Sequence, residues 1–135
     1  PARKFGEKIG IAFQLVDDVI DLAERDSGTG KPPGTDVRRG VTTLPMLYLQ
    51  ELSDSGDTEA TNLLARLARG TEGDATEEEF QQSIAQLREH PVTARTMDTA
   101  RSMADDAIAE LDSVPDGVVK DALIRFAHQV VKRSY

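Results

Sequence analysis

Apolar residues recur three and four positions apart along nearly the whole chain, a spacing that predicts helices. No stretch alternates at period two, so strands are not expected. From residue 2 to 25, Phe5, Ile9, Ala12, Phe13, Val16, Ile20 and Ala23 follow helical spacing. A Gly/Pro-rich loop is expected from Ser27 to Gly40. A second helix is expected from Thr43 to Ser53, with Pro45 tolerable in its first turn. Asp57 to Arg69 carry Ala60, Leu63, Leu64 and Leu67 at helical spacing, and Gly70 to Asp74 read as loop.

Thr76 followed by Glu77, Glu78 and Glu79 forms a capping-box pattern, in which Thr76 caps the helix and Glu79 reaches back. That helix should run to Glu89 and end at His90-Pro91. Val92 to Asp112 continue the pattern through Ala100, Met103, Ala104, Ala107, Ile108 and Leu111. After a turn at Val114 to Gly117, a last helix carries Val119, Ala122, Leu123, Phe126, Ala127, Val130 and Val131. About six helices in one all-α domain are therefore expected.

Composition narrows the function. The 135 residues include 39% apolar and 30% charged positions, which is a globular composition. Sixteen basic against 24 acidic residues give a net charge of −8, and no dense basic stripe invites nucleic acid. No apolar run approaches the ~20 residues of a membrane span. The absence of cysteine excludes disulfides and zinc–thiolate sites. Pro1 stands first and helical spacing starts within five residues without a cap, so the chain is expected to be part of a longer polypeptide.

The first helix carries the chemistry. At ~100° per residue, Gln14, Asp17, Asp18 and Asp21 fall in an arc of roughly 100°. Ile11, Leu15 and Leu22 extend the apolar surface along one flank of that arc. A helix apolar nearly all round is normally buried. Three carboxylates gathered in a low-dielectric site repel one another and take up protons unless something neutralises them. A hard divalent cation does so, and carboxylate oxygens suit Mg²⁺, which takes further ligands from water and phosphates. Acid clusters on helices are usually solvated faces, but the apolar flanks reverse that order here.

The loop that follows, Gly28-Thr29-Gly30-Lys31-Pro32-Pro33-Gly34-Thr35-Asp36, has the composition of a mobile flap. Loops of this length are often functional. Lys31 between glycine and proline could serve a phosphate as a point charge or stand as an ordinary exposed lysine. Arg38 and Arg39 read equally as phosphate neutralisers or as surface residues.

The segment Phe13-Gln14-Leu15-Val16-Asp17-Asp18-Val19-Ile20-Asp21 resembles the second aspartate-rich motif of the trans-prenyltransferases, the polyprenyl diphosphate synthases. Gly30-Lys31-Pro32-Pro33-Gly34-Thr35-Asp36 and Gly40-Val41-Thr42-Thr43-Leu44-Pro45 are similar to the family's next segment, Gly-Lys…Gly-x-Asp…Gly…Thr-Leu-Pro. The clear resemblance covers Phe5 to about Leu49; beyond that only the helical pattern fits.

The resemblance implies an all-α bundle around a deep cavity, usually a homodimer, with the cytoplasm as its setting. It implies two facing aspartate-rich motifs that hold Mg²⁺ on the diphosphate of an allylic substrate. Ionisation of that diphosphate gives a cation that isopentenyl diphosphate attacks. By position, Asp17 would be the most direct metal ligand, with Asp18 and Asp21 in support, partly through water. Gln14 would face the same pocket, Lys31 would contact the allylic diphosphate, and Asp36 would order metal-bound water or the loop. Arg38 and Arg39 are further candidates for the diphosphate.

Two departures stand out. Many members carry a second lysine where this chain has Val41, and the first aspartate-rich motif is absent. Asp105-Asp106 does not replace it, because a third acid at the right spacing is missing. The resemblance therefore identifies a C-terminal half that should not turn over alone. Two alternatives remain: a class I terpene cyclase, disfavoured by the Gly-Lys…Thr-Leu-Pro segment, and a non-catalytic helical partner subunit of a two-component synthase. His90 is expected to cap or be exposed, and Phe5, Phe13, Phe80, Met97 and Met103 to pack in the core. The Gly-rich loop is not a P-loop, since no Ser or Thr follows Lys31.

Overall fold

In the computed structural model of the chain, residues 2–23 and 32–132 are described. Among them the elements are helical: α1 (Ala2–Ile20), α2 (Thr35–Arg38), α3 (Leu44–Asp54), α4 (Thr58–Thr71), α5 (Glu77–Glu89), α6 (Pro91–Ala109) and α7 (Val118–Val131). The helix ends follow local chemistry. Asp57 caps α4 by accepting from the Ala60 amide at 2.9 Å. Thr76 and Glu79 form the expected capping box on α5, at 3.1 Å and 3.0 Å. Pro45 sits in the first turn of α3, where its missing N–H matters least.

Several boundaries differ from the sequence reading, and α6, expected to reach Asp112, ends at Ala109. The first helix stops at Ile20, with a turn through Ala23, instead of reaching residue 25. The Asp21 carbonyl accepts from the Gly34 amide at 2.7 Å, and the Leu22 carbonyl accepts from Arg88 Nε at 2.6 Å. Carbonyls that a longer helix would keep for its own backbone are thus taken by distant residues. The stretch expected to be loop as far as Gly40 contains the short α2. Gly70, expected in a loop, lies within α4.

The chain divides into two compact units. One comprises residues from the start through Asp17 together with those from Thr96 onward. Its core joins Phe5, Ile9 and Ala12 to Ala104, Ala107, Leu111, Ala127 and Val130. The other unit spans Asp18–Arg95, with Leu22, Val37, Leu49, Leu63, Leu67, Phe80, Ile84 and Leu87 in its core. There α3 packs on α4, and α4 on both α2 and α5.

Core expectations hold for Phe5, Phe80 and Met97, which are buried, while Met103 is half-buried against the first core. Phe13 departs from them: it is 43% exposed, and Ile11 is exposed as well. The first helix is therefore apolar over more of its surface than it buries. His90 caps α5, and its Nδ1 accepts from the Val92 amide at 3.2 Å. Asp105 and Asp106 are exposed.

Candidate diphosphate and metal site

The two sequence motifs meet at the end of α1. Asp21 is 5% exposed, and both its carboxylate oxygens accept from the Asp36 backbone amide at 3.2 Å. Asp36 lies in the first turn of α2, so Asp21 supplies the cap that Gly34, with no side chain, cannot. Gly34 adopts a left-handed φ of 82°, and its own amide binds the Asp21 carbonyl. A side chain there would strain the backbone and meet Ile84 at 2.6 Å.

Asp18 plays the same part on the next helix. It is 8% exposed, and its Oδ2 accepts from the Leu44 amide at 3.2 Å, at the start of α3. Two carboxylates of the acid motif thus face two helix N-termini, where partial positive charge favours them. Part of the neutralisation that the sequence assigned to a cation comes from backbone amides. Asp17, just before Asp18 on α1, is half-buried, and Gln14 is exposed.

The segment after the acids is pinned from several sides. Thr35 donates to the Pro32 carbonyl at 2.8 Å, and Gln81 donates to the Pro33 carbonyl at 2.9 Å. Thr71 donates to the Val37 carbonyl at 3.1 Å. Arg38 pairs with Glu77, and its guanidinium lies 4.3 Å over the Phe80 ring. From Pro32 onward the stretch is an anchored connection, not the mobile flap its composition suggested. Lys31 falls outside the described residues. Arg39 is exposed on the turn that follows α2.

Val41, in the place of the second lysine, is half exposed and borders a groove of about 540 Å³ between α3 and α4. Met46, Leu47, Leu64, Ala68 and Thr71 are among the other residues that line it. The groove is mostly apolar and no acid of the motif borders it.

Magnesium was expected here, and the donors can be tested against it. Among the described residues, no group of three or more His, Asp or Glu side chains is arranged to enclose an ion. The donor set is nevertheless hard oxygen, and each amide-bound carboxylate keeps further lone pairs. Mg²⁺ typically uses one or two carboxylates and completes its shell with water and phosphate. The residues fit an open, substrate-completed site and not a closed protein cage.

Sequence reasoning missed Gln81, Thr71 and Arg88, which are remote in sequence and carry no motif. It also gave no role to Thr43, read as a helix start and as part of the Thr-Leu-Pro segment: this residue is 2% exposed, and its hydroxyl has no hydrogen-bond partner among the described residues. No described helix is long and apolar enough to cross a membrane.

Residues 1–87 match the polyprenyl synthetase family. Nonaprenyl diphosphate synthase of Mycobacterium tuberculosis is 38% identical over 96% of this chain, which spans 37% of that relative's length. A polyprenyl synthase from Caulobacter crescentus, solved with calcium and isoprenyl diphosphate, superposes with a TM-score of 0.78 at 30% identity. That match covers 97% of this chain and 38% of the other. Geranylgeranyl pyrophosphate synthase from Corynebacterium glutamicum, also with calcium and isoprenyl diphosphate, gives 0.72 at 36% identity, covering 96% and 38%. The acid motif and the Gly-x-Asp segment that it caps both lie inside the matched region. This chain, all-α like its structural neighbours, belongs to the polyprenyl synthetase family.

Proposed function

We propose that this chain is the C-terminal part of a Mg²⁺-dependent, chain-elongating prenyl diphosphate synthase and supplies its second metal- and diphosphate-binding half. The observation that carries the reading is the bond from the Asp36 amide to the Asp21 carboxylate, which joins the two motifs into one constellation. The substrates are an allylic diphosphate and isopentenyl diphosphate, and the whole enzyme acts as a homodimer in the cytoplasm. Two solved relatives hold calcium, a hard cation of the same ligand preference, together with isoprenyl diphosphate.

In this reading Asp17 is the most direct ligand, and Asp18 and Asp21 support it partly through water. Magnesium, when bound, supplies positive charge that stabilises the departing diphosphate. Gln14 and Lys31 contact the allylic diphosphate, and Asp36 orders the loop. Of the two arginines, Arg39 suits a phosphate better, because Arg38 is engaged with Glu77 and Phe80. Isolated from the first acidic motif, the chain does not turn over.

Replacing Asp17 by alanine in the complete enzyme is the direct test. Turnover is expected to fall by orders of magnitude with helical content unchanged; full turnover would remove Asp17 from the mechanism. The 135-residue chain itself should melt higher when MgCl₂ and inorganic pyrophosphate are added together. No shift at millimolar concentrations counts against a retained half-site.

A further inference from the structure

A buried threonine beside the acid motif carries an inference that deepens the proposed function and rests on it. Thr43 occupies the N-cap position of α3, yet its side chain makes no capping hydrogen bond. The residue is 2% exposed, and its hydroxyl meets no partner among the described residues. A buried, unpaired hydroxyl is unfavourable by an amount comparable to a lost hydrogen bond, so such a group calls for an explanation. Valine has the same shape and would avoid that penalty.

The explanation lies one residue away. Leu44, next in the chain, gives its amide to Asp18 Oδ2 at 3.2 Å. That is the long end of the ordinary range for an N–H···O bond, about 2.7–3.2 Å. This contact of the Asp18 carboxylate is thus a relaxed one, at the N-terminus where the Thr43 hydroxyl also sits. A carboxylate accepts from several directions, so more than one donor can engage it.

We infer that Thr43 is a positioning residue for Asp18, its hydroxyl being a further donor that fixes this carboxylate when magnesium and a diphosphate engage the acid motif. Asp18 then keeps one oxygen at the start of α3 and offers the other to metal-bound water. Bonds of this kind are often loose in the free protein and tighten on binding. Thr43 itself is too buried to touch substrate, so it acts only through Asp18.

The test uses Thr43→Val and Thr43→Ser in the 135-residue chain, with MgCl₂ and inorganic pyrophosphate as probes. Without ligand, the valine variant is expected to melt at or above the parent temperature, because the hydroxyl it loses is unpaired. Its apparent affinity for the Mg–pyrophosphate pair should fall about tenfold, the worth of one hydrogen bond to a charged group. Serine should restore that affinity. A valine variant that binds like the parent overturns the inference while the functional reading stands. A valine variant that is strongly destabilised without ligand also overturns it, because the hydroxyl would then be paired already. A parent chain that does not respond to Mg–pyrophosphate removes the functional reading, and the inference with it.

Discussion

Asp21 reaches across 15 positions of sequence to hold the Asp36 backbone amide between its two carboxylate oxygens. The contact makes one residue both a member of the acid motif and the cap of α2. Its removal therefore has a structural consequence apart from any chemistry. Asp21→Ala is expected to lower stability by about 1.5–3 kcal/mol, the range for a hydrogen bond to a charged group. Asp21→Asn keeps an oxygen acceptor and should lose less. Urea denaturation of the two variants measures the difference; equal losses would mean that charge, and not acceptance, holds α2.

Gly70 and Phe80 set two effects against each other. Glycine within a helix is about 1 kcal/mol worse than alanine, so Gly70→Ala would stabilise an isolated α4. In the folded chain the added Cβ would lie 2.1 Å from Phe80 Cδ1, and Phe80 is buried. Overpacking of that kind typically costs about 1–3 kcal/mol. The substitution is expected to lower the melting temperature, and a rise would show that the Phe80 ring moves freely.

Val41 tests the departure from the family pattern. It is half exposed, so a lysine can enter without displacing the core. On the proposed function, Val41→Lys should enlarge the melting shift produced by Mg²⁺ and pyrophosphate. Stability without ligand should change by no more than ~0.5 kcal/mol, as for most surface substitutions. An unchanged shift would show that position 41 does not reach the diphosphate.

The Thr76–Glu79 box gives a pH dependence. The Thr76 backbone amide, followed by the Thr76 hydroxyl, holds the Glu79 carboxyl below its ordinary value, and Arg69 adds to this. A depressed folded-state value means the contribution is present above the ordinary glutamate range and lost as the pH falls through the folded value. Melting temperatures of the parent and Glu79→Gln should differ at neutral pH and converge in acid. Thr76→Ala should lower stability by about 1 kcal/mol. A parent–variant gap that persists at low pH would show that the Glu79 charge has no part in the cap.

Much of the architecture was legible because helices are local. The spacing of Leu63, Leu64 and Leu67 and the Thr76–Glu79 box depend on residues within a few positions of one another. Boundaries failed where distant groups intervened. Arg88, which takes the Leu22 carbonyl, lies 66 positions away, and nothing in the run from residue 2 to 25 announces it. Phe13 fits the apolar pattern of α1 yet stands exposed, because periodicity says which face is apolar and not how much of it is covered.

Sequence alone determined the helical class and the two motifs, since turn chemistry, helix period and residue spacing are properties of neighbouring positions. Only the tertiary structure decided which backbone amides meet the acids and what anchors the connection after them. Asp18 and Asp21 meet amides of α3 and α2 that lie 26 and 15 positions further on, and Gln81 and Thr71 hold the connection from still greater distances. Such partners are chosen by how helices pack, and packing depends on the shape of the whole core.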